Sequence, residues 1–377
     1  MTDKLNIGFI EDTPLHGGTQ IWVREATGIF LSMGHNVTVI TPENSWVYNE
    51  CKKIGADVNG YDYEKITEEN PRNEINKWKS ALEKCDIAVC TVHPPRDGFH
   101  CSVFAAKVIR EFNLKTILIP KTGTIVPEYK REFYLPDPLI NSHVITITDF
   151  TRKYLIENYN IPKEGISLIY QGTDISSFKP DNDIITESKK RYLLPDDIFP
   201  VIGNIGSFEK RKGQSVLLES FKNVLKVFPK AFLIFVGDGP DEKMLKAKVS
   251  DLNISDSVKF FPFTREPNYV YGRIDMLTLP SLYKEGLPNV LLESLAMEIP
   301  VIASNIAGIP EIVIDEKTGF LTEPGNIKKL TDLIIKMASD RKKMKNMGIA
   351  GRKYVIENFD KSRQFNMFLD FFSKISK

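Results

Sequence analysis

Two glutamates eight positions apart, Glu285 and Glu293, stand in the run Pro280-Ser281-Leu282-Tyr283-Lys284-Glu285-Gly286-Leu287-Pro288-Asn289-Val290-Leu291-Leu292-Glu293. A carboxylate can accept hydrogen bonds from a vicinal diol on a sugar or a ribose. An apolar strand ends near Leu279, Glu285 follows on a loop, and the fixed φ of Pro288 suits the start of a helix over 289–297. The first amides of that helix, at Asn289 and Val290, have no intrahelical partner and favour an anion. Two carboxylates flanking an anion site suit a phosphorylated polyol. An ordinary loop charge and a solvated helix residue fit the same spacing.

A second cluster, Gly206-Ser207-Phe208-Glu209-Lys210-Arg211-Lys212-Gly213, lies between a strand and a helix. Arg211, through its planar fork, and Lys212, as a point charge, could neutralise a diphosphate without a metal. A solvated basic loop is the plainer alternative. The run is not a Walker A loop, because Gly-x-x-x-x-Gly-Lys-Ser/Thr is missing. In His16-Gly17-Gly18-Thr19-Gln20, paired glycines after the first strand would let backbone amides approach a ligand, or would simply make a tight turn. They do not form Gly-x-Gly-x-x-Gly, so a nicotinamide or flavin fingerprint is absent. His93 ends the apolar run Ala88–Val92, on the ligand side of a parallel sheet or in a structural role. The one Asp-x-Asp, Asp181-Asn182-Asp183, falls in a polar stretch and reads as solvated, so no metal is expected.

Positioning these residues requires strands that deliver loops to one edge. Short Val- and Ile-rich strands are predicted over 7–10, 37–40, 87–92, 116–119, 144–148 and 166–170, with helical spacing over 19–33, 104–112 and 150–159. Apolar residues on both strand faces predict parallel sheets covered by helices. Residues 173–200 are polar and interrupted and read as a linker or a domain edge. The alternation restarts at Val201 and continues with strands over 232–236, 258–261, 276–279 and 301–303. Phe365, Phe368 and Phe372 then fall at helical spacing, which predicts an amphipathic helix packed on the protein.

Whole-chain arithmetic bounds the rest. The 377 residues exceed one compact core and suggest two domains at roughly 100–200 residues each. With 50 Lys+Arg against 49 Asp+Glu, the formal charge is +1, which argues against a dedicated nucleic-acid binder. No apolar run reaches the ~18 residues of a membrane span. The first residues are too short and acidic for a signal peptide, so a cytoplasmic protein is expected. Lys77-Trp78-Lys79, in a helix predicted over 74–84, reads as a solvated basic face, with weak contact to the inner face of a membrane as its other reading. Cys51, Cys85, Cys90 and Cys101 make no Cys-x-x-Cys or zinc spacing and read as buried or incidental thiols.

Taken in order, these motifs resemble the retaining GT-B glycosyltransferases called glycosyl transferases group 1. Glu285 to Glu293 is similar to that family's Glu-x7-Glu motif in a Glu-Gly-Leu-Pro setting. Val236-Gly237-Asp238-Gly239-Pro240, Pro300–Ser304, Gly308–Val313 and Thr318–Leu321 fit as well. Gly17-Gly18, His93 and Gln171-Gly172-Thr173-Asp174 match weaker landmarks.

The resemblance implies two Rossmann-like doubly wound α/β domains facing a cleft. These would be an acceptor-side domain, 1–174 plus a returning helix at 358–377, and a nucleotide-sugar-binding domain, 175–357. It implies that Glu293 binds ribose hydroxyls, Glu285 holds the transferred hexose, and His93 contacts the sugar near the reacting carbon. Lys212 with Arg211 would stabilise the leaving diphosphate. Gly17, Gly18, Gly237, Gly286, Leu287, Asn289 and Val290 would complete the donor site. Ser207 departs from the pattern, since many members carry an Arg there, and Arg211 is the expected substitute. The implied reaction is metal-independent hexosyl transfer, with retention, from a UDP- or GDP-sugar to a hydroxyl acceptor. That acceptor is a glycan, a lipid-linked sugar or a small molecule, and cell-envelope glycan synthesis is the setting. A sugar-nucleotide 2-epimerase of the same fold and a non-catalytic nucleotide-sugar-binding protein are the alternatives.

Overall fold

The computed structural model describes residues 4–14, 17–68, 71–92, 100–123, 125–135, 137 and 143–376, with the backbone alone at 129 and 130. The chain divides into two compact units, 1–170 with 365–377 and 171–364. The sequence reading set these divisions at 174/175 and 357/358.

The first unit is built on seven parallel strands among the described residues: β1 Asn6–Ile10, β2 Asn36–Pro42, β3 Asp57–Tyr61, β4 Ile87–Val92, β5 Ile117–Thr122, β6 Val144–Thr146 and β7 Ile166–Leu168. Helices α1 Gly18–Ser32, α2 Trp46–Lys53, α3 Arg72–Leu82, α4 Cys101–Glu111 and α5 Asp149–Tyr159 cover it. The strand order is β3-β2-β1-β4-β5-β6-β7, so the topological switch falls between β1 and β4.

Strand β3, Asp-Val-Asn-Gly-Tyr, has no apolar run and escaped the periodicity reading. It is an edge strand in register with β2, and only Tyr61 is buried. The tryptophan of Lys77-Trp78-Lys79 is 1% exposed. Its ring packs between Tyr61 at 5.2 Å and Phe104 at 5.0 Å, so it is a core residue with no surface to offer a membrane. The two flanking lysines stay at the surface.

The second unit repeats the plan with six parallel strands: β8 Val201–Ile205, β9 Phe232–Val236, β10 Val258–Phe261, β11 Met276–Leu279, β12 Val301–Ser304 and β13 Gly319–Thr322. Its helices are α6 Asn182–Arg191, α7 Gln214–Val224, α8 Glu242–Asp251, α9 Asn268–Tyr271, α10 Asn289–Ala296, α11 Ile309–Ile312, α12 Ile327–Ala338 and α13 Arg341–Asn358. The order β10-β9-β8-β11-β12-β13 puts the switch between β8 and β11. Strand β9 is buried along its whole length, as a central parallel strand with helices on both faces must be.

The stretch 173–200 is not simply a linker, because it contains α6. Asp181, expected as a solvated residue, caps that helix by accepting from Asp183 N at 2.7 Å. The helix is almost wholly polar, and among its described residues only Ser188 is buried, which is why no apolar period announced it.

The last helix, α14 Lys361–Ile375, carries Phe365, Phe368 and Phe372, all fully buried. Their rings meet those of α1: Phe365 lies 5.5 Å from Phe30, Phe372 5.9 Å from Phe30, and Phe368 5.6 Å from Trp22. The end of the chain therefore completes the core of the first unit.

At the carboxyl ends of the first sheet, Glu11, Thr91 and Lys121 come from adjacent strands. Thr91 is in register with Lys121 and donates from Oγ1 to Glu11 Oε2 at 3.0 Å. Lys121 is 6% exposed, with its ammonium 3.8 Å from the Trp22 ring centroid. Burial lowers its pKa to about 7, against the opposing pull of Glu11. Between pH 7 and the unfolded value of about 10.4 the unfolded chain holds more protons at this site, so stability rises with pH there. Below pH 7 the full cost of burying the charge is present. Lys121→Met is expected to stabilise the protein at pH 6 and to lose that advantage by pH 10, read from denaturant melts. An equal difference at both pH values would contradict this assignment of the charge.

Candidate functional site

In an open parallel sheet, ligands bind beyond the carboxyl ends of the strands beside the switch point. In the second unit those strands are β8 and β11. The loop after β8 is the basic turn ending at Gly213, and the loop after β11 is the one carrying Glu285.

The two loops touch because position 213 is glycine. Its φ is +69°, and a Cβ there would stand 2.0 Å from the carbonyl oxygen of Pro280. The backbone of one loop therefore lies directly on the other, and Leu282 N donates to Arg211 O at 2.7 Å. This contact delivers Lys212 Nζ to Glu285 Oε1 at 2.7 Å. Ser281 Oγ donates to the same oxygen at 2.6 Å, and Arg211 Nη1 approaches it at 3.4 Å. The Glu285 side chain is 6% exposed and that of Lys212 14%. Glu285 Oε2 accepts no hydrogen bond among the described residues, which leaves one face of the carboxylate for a ligand hydroxyl.

Arg211 is held from two sides. Its Nη2 pairs with Glu209 at 2.7 Å, and its Nη1 donates to Lys284 O at 3.2 Å. Lys284 adopts φ +56°, a left-handed conformation that a non-glycine residue takes at a cost of about 1 kcal/mol or more. Ser207, where the family pattern has Arg, donates to Glu209 Oε1 at 2.5 Å. Burial raises the Glu209 pKa, but the hydrogen bonds from Ser207 and Arg211 outweigh it and hold the carboxyl below its ordinary value. The guanidinium of Arg211 thus shares a carboxylate oxygen with Lys212.

Helix α10 starts after Pro288, with no side-chain cap on its first amides. Leu291, Leu292 and Leu295 are buried against the unit's core, and Glu293 between them is half-buried. Tyr271 OH donates to Glu293 Oε2 at 2.8 Å and lies 3.2 Å from Val290 O. Burial, and then the Glu293 charge, push the Tyr271 phenol well above its ordinary pKa, so it remains a donor. The exposed Asn289 accepts from Gln171 Nε2 at 2.7 Å through its own Oδ1. Leu287 is buried and Gly286 half-buried in the approach to the helix.

Gly237 ends β9 at φ +150°, and a Cβ there would meet Gly206 O at 2.1 Å, so the ends of β8 and β9 also close on each other. Of the residues expected from sequence, Arg211, Lys212 and Glu285 form one cluster, while Asn289, Val290 and Glu293 share α10. Gly17 and Gly18 open α1 in the other unit, and among the described residues nothing lies within 4 Å of a Cβ built on Gly18. His93 lies outside the described residues. Ser281 and Tyr271 were missed. Ser281 sat inside the motif without a distinguishing signal, and Tyr271 lies 22 positions from its partner. Among the described residues, no group of three or more His, Cys, Asp or Glu is placed to hold a metal. None of the helices among them is long and apolar enough to cross a membrane.

The family described as glycosyl transferases group 1 matches residues 185–354, which include the basic turn, Gly237 and both glutamates. That segment belongs to the glycosyl transferases group 1 family. Its relatives include a GDP-mannose-dependent alpha-(1-6)-phosphatidylinositol monomannoside mannosyltransferase of Mycolicibacterium smegmatis. This relative is 28% identical over 229 residues, covering 58% of this chain and 59% of the relative. The capsular polysaccharide biosynthesis glycosyltransferase CapM of Staphylococcus aureus is 28% identical over 222 residues, 57% of each chain. The chain thus spans under two thirds of the length of these curated relatives.

Among solved structures, Anabaena HepE in complex with UDP aligns with a TM-score of 0.85 at 18% identity, covering 98% of this chain and 100% of HepE. The glycosyltransferase WaaG, involved in lipopolysaccharide biosynthesis, aligns with a TM-score of 0.69 at 15% identity, covering 97% of this chain and 99% of WaaG. The fold is that of the GT-B glycosyltransferases.

Gly213→Ala is expected to destabilise the protein by more than Gly325→Ala. Gly325 also has positive φ (+76°), but a Cβ there meets nothing closer than 3.8 Å. The shared backbone cost is about 1–3 kcal/mol, and denaturant melts would read any excess at Gly213. Equal losses would remove the close approach as the cause.

Proposed function

We propose that this protein transfers a hexosyl group from a nucleotide-diphosphate sugar to a hydroxyl acceptor with retention of anomeric configuration. The observation that carries this reading is the Lys212–Glu285 pair at the β8/β11 switch point, with Glu293 on the helix that follows. The family match over these same residues supports it.

In this reading Lys212 and Arg211 neutralise the diphosphate, and the first amides of α10 add donors at the positive end of the helix. The cations shift from Glu285 toward the phosphates, and Glu285 accepts from sugar hydroxyls. Glu293, oriented by Tyr271, accepts from the ribose hydroxyls. Catalysis rests on stabilising the departing diphosphate. The bond from the anomeric carbon to the phosphate oxygen breaks, the acceptor oxygen bonds that carbon from the same face, and its proton passes to the departing phosphate oxygen. No protein nucleophile is consumed, unlike in retaining glycoside hydrolases.

The seven-stranded unit would serve the acceptor, and the family resemblance carries a sugar-contact role to His93 and backbone donation to Gly17 and Gly18. Two relatives' names contain phosphatidylinositol monomannoside and capsular polysaccharide, and on that ground the acceptor class in this reading is a cell-envelope glycan or lipid. GDP is named with several relatives and UDP with a solved neighbour, so the donor base is decided by experiment. A thermal-shift panel of UDP, GDP, ADP and their sugars is expected to single out one base by raising the midpoint.

Lys212→Ala and Glu293→Ala are each expected to weaken that nucleotide by about 10- to 100-fold in isothermal titration, the range of a hydrogen bond to a charged group. Wild-type affinity in both variants would sink the assignment. Tyr271→Phe is expected to raise the donor KM several-fold with little change in kcat. It should also leave binding of the 2′,3′-dideoxynucleotide unchanged, because the effect runs through the ribose. An equal loss for the ribo- and dideoxynucleotide would make Tyr271 merely structural.

A further inference from the structure

The four cysteines are all buried, but they are not equivalent. Cys51 Sγ faces Thr27 Oγ1 at 3.8 Å, and Cys85 Sγ faces Ala81 O at 3.4 Å. Cys90 and Cys101 face each other, with Sγ to Sγ at 2.9 Å across eleven positions of sequence. A disulfide bond is about 2.05 Å long, so about 0.9 Å of movement separates this pair from a covalent bridge. Cys90 belongs to β4 and Cys101 is the first residue of α4, so the pair joins a strand of the sheet to the start of a covering helix.

We propose that Cys90 and Cys101 are a site of reversible oxidative modification, a dithiol that a small hydroperoxide converts to an intramolecular disulfide. The proposal is independent of the glycosyl-transfer reading. One thiolate attacks the peroxide oxygen, the O–O bond breaks, and a sulfenic acid forms with release of water or an alcohol. The second sulfur attacks the first, the S–O bond breaks and the S–S bond forms, and a second oxygen leaves as water. Two electrons pass from the sulfurs to the peroxide, and two thiols with hydrogen peroxide give one disulfide and two waters.

Burial excludes bulky oxidants, which is why the oxidant is a small peroxide. Burial together with the hydrogen bond from Cys90 also holds the Cys101 thiol well above its ordinary pKa, so oxidation is slow compared with that of an exposed reactive thiol. In a reducing compartment the pair rests as two thiols and records oxidative exposure.

The test treats the full-length protein with hydrogen peroxide, then denatures it and titrates the thiols. The count is expected to fall from four to two and to return to four with dithiothreitol. Peptide mapping should find a single link joining the Cys90 and Cys101 peptides. Cys101→Ser should form no such link and should instead accumulate a dimedone-trappable sulfenic acid at Cys90. Four thiols surviving treatment, loss confined to Cys51 or Cys85, or a link between two chains would each overturn the proposal. Cys51→Ser and Cys85→Ser controls keep the outcome readable, because each should still lose two thiols.

Discussion

Everything that gives the second unit its chemistry depends on two loops lying in backbone contact. Gly213 rests on the carbonyl of Pro280 at a distance that no side chain would allow. Because it does, the turn after β8 and the loop after β11 form one surface. Lys212, Arg211 and Ser281 then converge on a single carboxylate oxygen of Glu285. The sheet order makes the meeting possible, since β8 and β11 are hydrogen-bonded neighbours although many residues separate them. The glycine makes it close.

The cluster is electrostatically frugal. A largely buried lysine and a largely buried glutamate would each be costly alone, and pairing them offsets part of that cost. In the proposed reading the pair suits a highly charged ligand, because a diphosphate would replace the carboxylate as the cations' partner. The freed carboxylate can then accept from hydroxyls. Tyr271, at the end of α9, plays the matching part for α10, where its fully buried phenol donates to Glu293 Oε2 at 2.8 Å beside Val290 O at 3.2 Å. Both glutamates are thus oriented by groups behind them.

The strands were legible where the apolar period was strong. Residues 232–236, 258–261 and 276–279 were read with the boundaries the structure shows. Edge strand β3 and helix α6 were not, because neither buries enough apolar surface to leave a pattern. At the site, the loop and helix around Glu285 and Glu293 were legible from Pro288 and the strand before it. The partners Tyr271 and Ser281 were not, because a hydrogen bond between distant positions leaves no local trace. Trp78 shows the opposite error, since its lysine neighbours suggested a surface while its own ring is core.

The sequence by itself determined the strands and helices whose apolar period is strong, and which side chains stand where those strands end, because period, proline and glycine act locally. It also carried the ordered motifs that mark the family. The tertiary structure alone decided which strand ends are neighbours and therefore which charges meet. A net charge of +1 could not reveal that a lysine, an arginine and a glutamate from loops some seventy residues apart share one oxygen. Sequence spacing could not reveal that two thiols eleven positions apart nearly touch. The first of these contacts is a consequence of parallel strand order, which is set by the burial of both sheet faces and by no local signal, and the second of the way α4 packs back onto β4.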